Sequence, residues 1–200
     1  KRRYYGTPVK TEFSNEIAIR LILGCVSFVA GRLDISFQPL FVDHDMHYYR
    51  TYMKILNTPE KEEKIGYIIF CRNCKDRYTH ISKQEKCRKC SHETEIAGPL
   101  WIGNLFDKEF VTMMKNVKND LNVHKKCERI LDRSELEAEL PATYYTLDEI
   151  ASKMNSAPLK LSDAIDRLTS NGFKASMTSL NPSGFRTDCE IDEIIQIFQS

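Results

Sequence analysis

The chain has 200 residues, enough for one large domain or two small ones with cores of their own. Hydrophobic residues make up 42% and charged residues 28%, the balance of a soluble globular protein and not that of a disordered or collagen-like one. Net charge is only +1, so the chain as a whole lacks the positive excess of a dedicated nucleic-acid binder, and any RNA contact has to come from a local patch. The longest apolar run, Ile17 to Ala30, is interrupted by Arg20 and contains Gly24 and Ser27, which reads as a buried helix and not a membrane span. Lys1-Arg2-Arg3-Tyr4-Tyr5 is basic but leads into polar sequence, against a signal peptide. The expected location is cytoplasmic.

In chain order, Thr11 to Leu33 has helical periodicity, with Ser14 as the expected N-cap and Glu16 in the first turn, where an acid suits the helix dipole. Apolar residues surround this helix, which predicts cover on several sides. Ile35–Val42 and Tyr48–Leu56 read as strands of a hairpin. In the second, Tyr49, Thr51, Met53 and Ile55 alternate with Tyr48, Arg50, Tyr52 and Lys54, the period-two pattern of a half-buried strand. Asn57–Lys64 is a charged loop. Ile65–Phe70 is a short strand that runs into a pair of cysteines, and Gly98–Gly103 is a turn-rich apolar segment holding the only tryptophan. Asp107 is expected to cap a helix to about Val117. A second helix runs from Leu121 to about Glu139, and Pro141 marks the predicted domain boundary. Beyond it, Thr146 caps a helix over Leu147–Met154 with Glu149 three residues on. Leu161–Asn171 is a second helix ended by Gly172. Phe173–Thr178 and Phe185–Cys189 form two strands around Asn181-Pro182-Ser183-Gly184, and Ile191–Phe198 is a terminal helix. Helix, helix, hairpin is a winged-helix-like order.

The clearest chemical signal is Cys71-x-x-Cys74 followed by Cys87-x-x-Cys90. A two-residue spacer lets both thiolates of a pair face one metal, and two pairs complete a tetrahedral sulfur shell for Zn2+. Such a site is closed, so it predicts folding of the segment from about 65 to 97 and no catalysis. His92 is the alternative to Cys90 as fourth ligand. The odd total of seven cysteines speaks against a disulfide framework. Cys25 and Cys127, on predicted helices, read as small core residues. Asp43, His44, Asp45 and His47 are of metal-binding type but sit in a predicted turn, where these residues occur for backbone reasons. Tyr48, Tyr49 and Tyr52 are read as packing residues, with base stacking as the other use. Between Cys71 and Cys90, Arg72, Lys75, Arg77, Lys83, Lys86, Arg88 and Lys89 face only Asp76 and Glu85, a local basic patch open to reading as solvated loop or as RNA contact. The eight glycines never cluster into the turn that a doubly wound cofactor-binding sheet needs, so no catalytic or cofactor residue is assigned.

Four segments together resemble the tRNA (guanine-26) N2,N2-dimethyltransferase family. They are Tyr4-Tyr5-Gly6-Thr7-Pro8-Val9-Lys10-Thr11-Glu12-Phe13 with Glu16 and Arg20, and His47-Tyr48-Tyr49-Arg50. The others are Ala97-Gly98-Pro99-Leu100-Trp101-Ile102-Gly103 and Gly172-Phe173-Lys174-Ala175-Ser176 with Asn181 to Asp188. Lys10, Asn15, Met177 and Ser179 depart from residues often found in relatives. The resemblance implies an α/β plus α+β architecture. Residues 1–140 are the C-terminal part of a Rossmann-like methyltransferase sheet with a zinc-binding insertion, and residues 141–200 are a small winged-helix-like α+β domain of tRNA-binding type. It implies transfer of methyl groups from S-adenosylmethionine to guanine in tRNA. The cofactor motifs lie upstream of Lys1 in the family, in a missing N-terminal methyltransferase half on the same or a separate chain, so this chain by itself is expected to be inactive. The candidate phosphate contacts are Arg2, Arg3, Arg72, Lys75, Lys174 and Arg186. The rival expectation is a stand-alone zinc-ribbon and winged-helix module that binds nucleic acid without catalysis.

Overall fold

The computed structural model describes residues 4–46, 48–118 and 121–199, and its packing divides the chain into Lys1–Leu105 and Phe106–Ser200. The first unit is organised around helix α1 (Ser14–Gly31). The helix starts later than the periodicity suggests, and Ser14 is not its cap. Its hydroxyl turns back, accepting from the Thr11 amide at 2.9 Å and donating to the Thr11 carbonyl. Phe13 takes the capping position without a side-chain cap and is fully buried, edge-on to Phe70 with centroids 5.4 Å apart. By length and mean hydropathy (1.4) α1 is apolar enough for a membrane span. Its packing gives those residues another use, since Ile17, Ile19, Leu21 and Leu23 are all core.

Glu16 does more than face the helix dipole. It is buried and accepts from Arg20 Nε at 2.8 Å. Arg20 Nη1 also donates to the Trp101 and Gly103 carbonyls at 3.0 and 2.8 Å, which ties α1 to the end of a strand 81 residues away. Gly24 permits the close approach there, because a Cβ at that position would lie 3.0 Å from the Leu100 Cα.

Strands β1 (Ser36–Asp45) and β2 (Tyr48–Leu56) form an antiparallel hairpin from Ser36↔Leu56 to Asp45↔Tyr48. Phe37, Phe41 and Val42 on β1 are buried, whereas β2 has no buried residue. The half-buried expectation for β2 therefore fails. The sheet ends at two strands among the described residues, leaving Tyr48, Tyr49, Tyr52 and Ile55 at 38–53% exposure.

The second sheet runs β4-β3-β5, with β3 at Ile65–Phe70, β4 at Arg77–His80 and β5 at Glu95–Trp101. The segment read as turn-rich is thus largely strand, because its Gly-Pro pair sits where the β3–β5 register shifts. Proline loses no ladder bond at such an irregularity, and Gly98 adopts φ +131, which glycine alone takes without strain. Every pairing among the described strands is antiparallel, so the parallel ladder of a Rossmann-like sheet does not lie within them.

The second unit begins with α2 (Lys108–Lys118) and α3 (Lys125–Glu137). Asp107 caps α2, accepting from the Phe110 amide at 2.8 Å. His124 caps α3 through the Lys126 amide, so α3 starts later than expected. There follow β6 (Tyr145–Thr146), α4 (Leu147–Met154), α5 (Leu161–Ser170), β7 (Ala175–Met177), β8 (Gly184–Thr187) and α6 (Ile191–Gln199). The Thr146 hydroxyl accepts from the Glu149 amide, as a helix cap should. Antiparallel strands in the order β6-β8-β7 carry a core of Ile150, Leu168, Phe185, Ile191, Ile194 and Phe198.

The packing boundary lies at Leu105/Phe106 and not at Pro141, for a reason visible at the end of α3. Glu137 is buried and accepts from the Thr178 hydroxyl at 2.6 Å, the Ser179 amide at 2.7 Å, the Ser179 hydroxyl and Arg186 Nε. Arg133 donates to the Thr178 carbonyl at 2.9 Å. These bonds bind α3 to the turn and strands that follow Pro141.

Candidate metal centre

The two cysteine pairs adopt the same backbone conformation. In each, the first cysteine's amide donates to the carbonyl five residues on, Cys71 to Asp76 at 2.9 Å and Cys87 to His92 at 2.8 Å. Its carbonyl accepts from the residue four on, Lys75 at 2.8 Å and Ser91 at 3.0 Å. Lys75 (φ +68) and Ser91 (φ +59) are both left-handed, which turns the chain away after the second thiol. The first pair follows β3 directly and β4 leads out of its turn, so the sheet fixes where that pair points.

This repeated geometry brings four side chains together that are up to 19 residues apart. The Cys71 and Cys90 Sγ atoms are 3.4 Å apart, and those of Cys74 and Cys87 are 3.5 Å apart. All four lie within 4.8 Å of one another. A tetrahedron with Zn–S bonds of about 2.3 Å has edges of about 3.8 Å, so four sulfurs in this space suit one tetrahedral ion. The separations are far beyond a disulfide bond, and all seven cysteines are free thiols. Burial pushes the Cys71 and Cys74 thiols up, while the His92 backbone amide pulls Cys90 down to about 5. A metal cation is the natural counter-charge for deprotonating these two thiols.

Among the described residues this is the one cluster of three or more potential ligands. His92 is outside it, with Nδ1 3.3 Å from the Asn73 amide nitrogen. His44 stacks on Tyr49 with centroids 5.1 Å apart, and His47 lies outside the described residues. Cys127 is exposed, Cys25 is half-buried and Cys189 is buried, so the expectation of a core thiol fails for Cys127.

The predicted phosphate contacts meet different fates. Arg186 is 2% exposed, with Nε on Glu137 and Nη1 donating to the Pro141 and Thr143 carbonyls at 3.1 Å. It is an interior anchor and presents no surface to phosphate. Arg72 is exposed but binds Glu95 at 2.7 Å and the Lys10 carbonyl at 2.9 Å. The Glu95 hydrogen bond raises its pKa further. Lys75 is half-buried, with Nζ 5.6 Å from the Phe70 ring centre. Lys174 is exposed, and its amide and carbonyl both bond Asp188. Arg2 and Arg3 lie outside the described residues. Arg77, counted with the basic loop in the sequence, is buried over Phe13 and Phe70 at 4.6 and 5.2 Å.

Sequence reading missed a cleft of about 570 Å³ in the first unit, lined by Tyr4, Pro8, Lys10, Ala18, Ile22 and Tyr49 among others. Among the described residues its lining includes no carboxylate or imidazole. The scattered lining, contributed by the start of the chain, α1 and β2, leaves no linear motif to find.

The sequence profile of the N2,N2-dimethylguanosine tRNA methyltransferases matches residues 1–199. The chain belongs to this family. It is 31% identical over 209 residues to the tRNA (guanine(26)-N(2))-dimethyltransferase of Methanosphaera stadtmanae, covering 98% of this chain and 53% of that protein. It is 31% identical over 204 residues to the tRNA (guanine(26)-N(2)/guanine(27)-N(2))-dimethyltransferase of Aquifex aeolicus, covering 98% and 51%. Trm1 from Pyrococcus horikoshii, solved with S-adenosyl-L-methionine, has the same fold over 98% of this chain and 53% of its own, with TM-score 0.82 and 22% identity. This family member thus spans about half the length of the relatives it matches.

Proposed function

We propose that the chain is part of an S-adenosylmethionine-dependent tRNA (guanine-26-N2)-dimethyltransferase, in which it completes the catalytic fold and holds the tRNA. The observation that carries this is the family match across residues 1–199. That match favours the methyltransferase over the stand-alone nucleic-acid-binding module. The β1–β2 hairpin, whose outer strand lacks any buried residue, is suited to close the end of a larger sheet. The second unit, with its order of α4, α5, β7 and β8, is read as winged-helix-like.

Cys71, Cys74, Cys87 and Cys90 hold one structural Zn2+ on this reading. Four thiolates leave no open position, so the ion would fold the segment between β3 and β5 without activating water. S-adenosylmethionine, when bound, supplies the methyl group. The family's glycine-rich cofactor turn has no counterpart in this sequence, so residues 1–200 alone neither bind S-adenosylmethionine nor methylate tRNA. Calorimetric titration of the 200-residue chain with S-adenosylmethionine tests that claim, and saturable binding would place a cofactor site within it. Methylation of tRNA by the whole protein, with nucleosides analysed afterwards, tests the activity. Dimethylguanosine at position 26 is expected, and methyl groups confined to another base would overturn the reading.

A further inference from the structure

Resting on that reading, we infer that the outer face of the β4-β3-β5 sheet is a stacking platform for unpaired nucleotides of the RNA. Residues directly opposite in an antiparallel pair share a face, and β3 pairs with β4 as Tyr67↔His80 and Ile69↔Tyr78. Successive side chains alternate between faces. Tyr67, Ile69, Tyr78 and His80 therefore lie together on one face, and Ile68, Phe70, Arg77 and Thr79 on the other. The second face is the core side, with Ile68 and Phe70 each 1% exposed and Phe70 against Phe13. On the first, Ile69 is fully buried beneath its neighbours, while the Tyr67, Tyr78 and His80 rings around it stay half-exposed.

Two cations from the loop between β4 and β5 lie over these rings. Lys83 Nζ is 5.8 Å from the centre of Tyr67, and the Arg88 guanidinium is 4.4 Å from that of Tyr78. Arg88 is held by two bonds to Asp76 at 2.8 and 3.1 Å, and both Lys83 and Arg88 are exposed. Aromatic rings and guanidinium planes on a sheet beside a lysine are the combination that binds single-stranded RNA, with the Tyr67 ring and the Arg88 plane that covers Tyr78 taking bases and Lys83 a phosphate.

The charge distribution chooses the partner. Residues 1–105 carry 17 Lys and Arg against 12 Asp and Glu, while residues 106–200 carry 12 against 16. Within 141–200 the count is five against eight, and α5 shows Asp163 and Asp166 as well as Arg167. A polyanion is attracted to the first unit and repelled by the second. The principal RNA surface is therefore the zinc-bearing unit and not the C-terminal one.

The test measures tRNA binding by the whole protein across a salt series, with Tyr67→Ala, Tyr67→Phe, Lys83→Glu and, at an exposed lysine of the second unit, Lys160→Glu variants. Tyr67→Ala should weaken binding by about tenfold or more, the usual loss for one stacked base, and Tyr67→Phe by less than about twofold. Lys83→Glu, at an exposed position, should lower the salt slope by about one unit with melting unchanged, and it decides the matter if Tyr67→Ala does not fold. Lys160→Glu should leave binding nearly unaltered. Unchanged affinity in folded Tyr67→Ala and in Lys83→Glu, with tRNA still bound, overturns the platform and leaves the family reading standing. Failure of the wild-type protein to bind tRNA overturns both.

Discussion

Glu137→Ala should be among the most damaging single substitutions in the second unit. Its carboxylate is buried and gathers the Thr178 hydroxyl, the Ser179 amide and hydroxyl, and Arg186 Nε. Arg186 is itself 2% exposed, so removal of Glu137 leaves a guanidinium in the interior without its counter-charge. Breaking a buried pair from one side costs about 3–5 kcal/mol, about a fifth or more of the 5–15 kcal/mol that holds a typical domain. Urea unfolding followed by circular dichroism measures the loss directly. The paired replacement Glu137→Leu with Arg186→Met removes both charges and should be clearly less harmful than Glu137→Ala. A loss below about 1 kcal/mol for Glu137→Ala, the range of an exposed ion pair, would refute the argument. It would also reopen Arg186 as a surface residue.

Two further outcomes follow from named contacts. Cys71→Ser with Cys74→Ser should reduce zinc from about one ion per chain to nearly none and lower the melting temperature of the first unit; unchanged metal content and melting would refute the site. In the second unit, hydrogen bonds from Lys115 and Thr112 hold the Glu135 carboxyl below its usual range. A carboxyl with a depressed folded pKa adds stability above its unfolded value and loses it as pH falls through the folded value. The α2–α3 contact should accordingly weaken as pH falls through and below the ordinary carboxylate range. Lys115→Met should make that acid-side loss shallower, by no more than about 1 kcal/mol because the groups are partly exposed. Identical acid profiles for the two proteins in urea titrations would remove the ion pair from the explanation.

Much of the local structure was legible because it rests on short-range rules. The Asp107 and Thr146 caps, the bounds of β2 and β3, and the αL glycine at Gly172 all follow from neighbouring residues. The cysteine spacing likewise foretold four clustered thiols. What escaped depended on distant partners. Ser14 looks like a cap until Thr11 is seen to use its hydroxyl. Arg186 looks like an RNA contact until Glu137, 49 residues earlier, is found beside it. Gly98 and Pro99 signal a turn in isolation, yet lie in a strand because β3 shifts its register around them. The packing division falls before Pro141 for the same reason, since Pro141 ends a helix pattern but does not sever the bonds from α3 onward.

The central claim is the chemistry of the whole protein on tRNA. The direct measurement is transfer of labelled methyl groups from S-adenosylmethionine to two tRNA transcripts, one with guanine at position 26 and one with adenine there. Label is expected in the first, recovered as N2,N2-dimethylguanosine, and none at that position in the second. Equal labelling of both transcripts, or none of either, would contradict it.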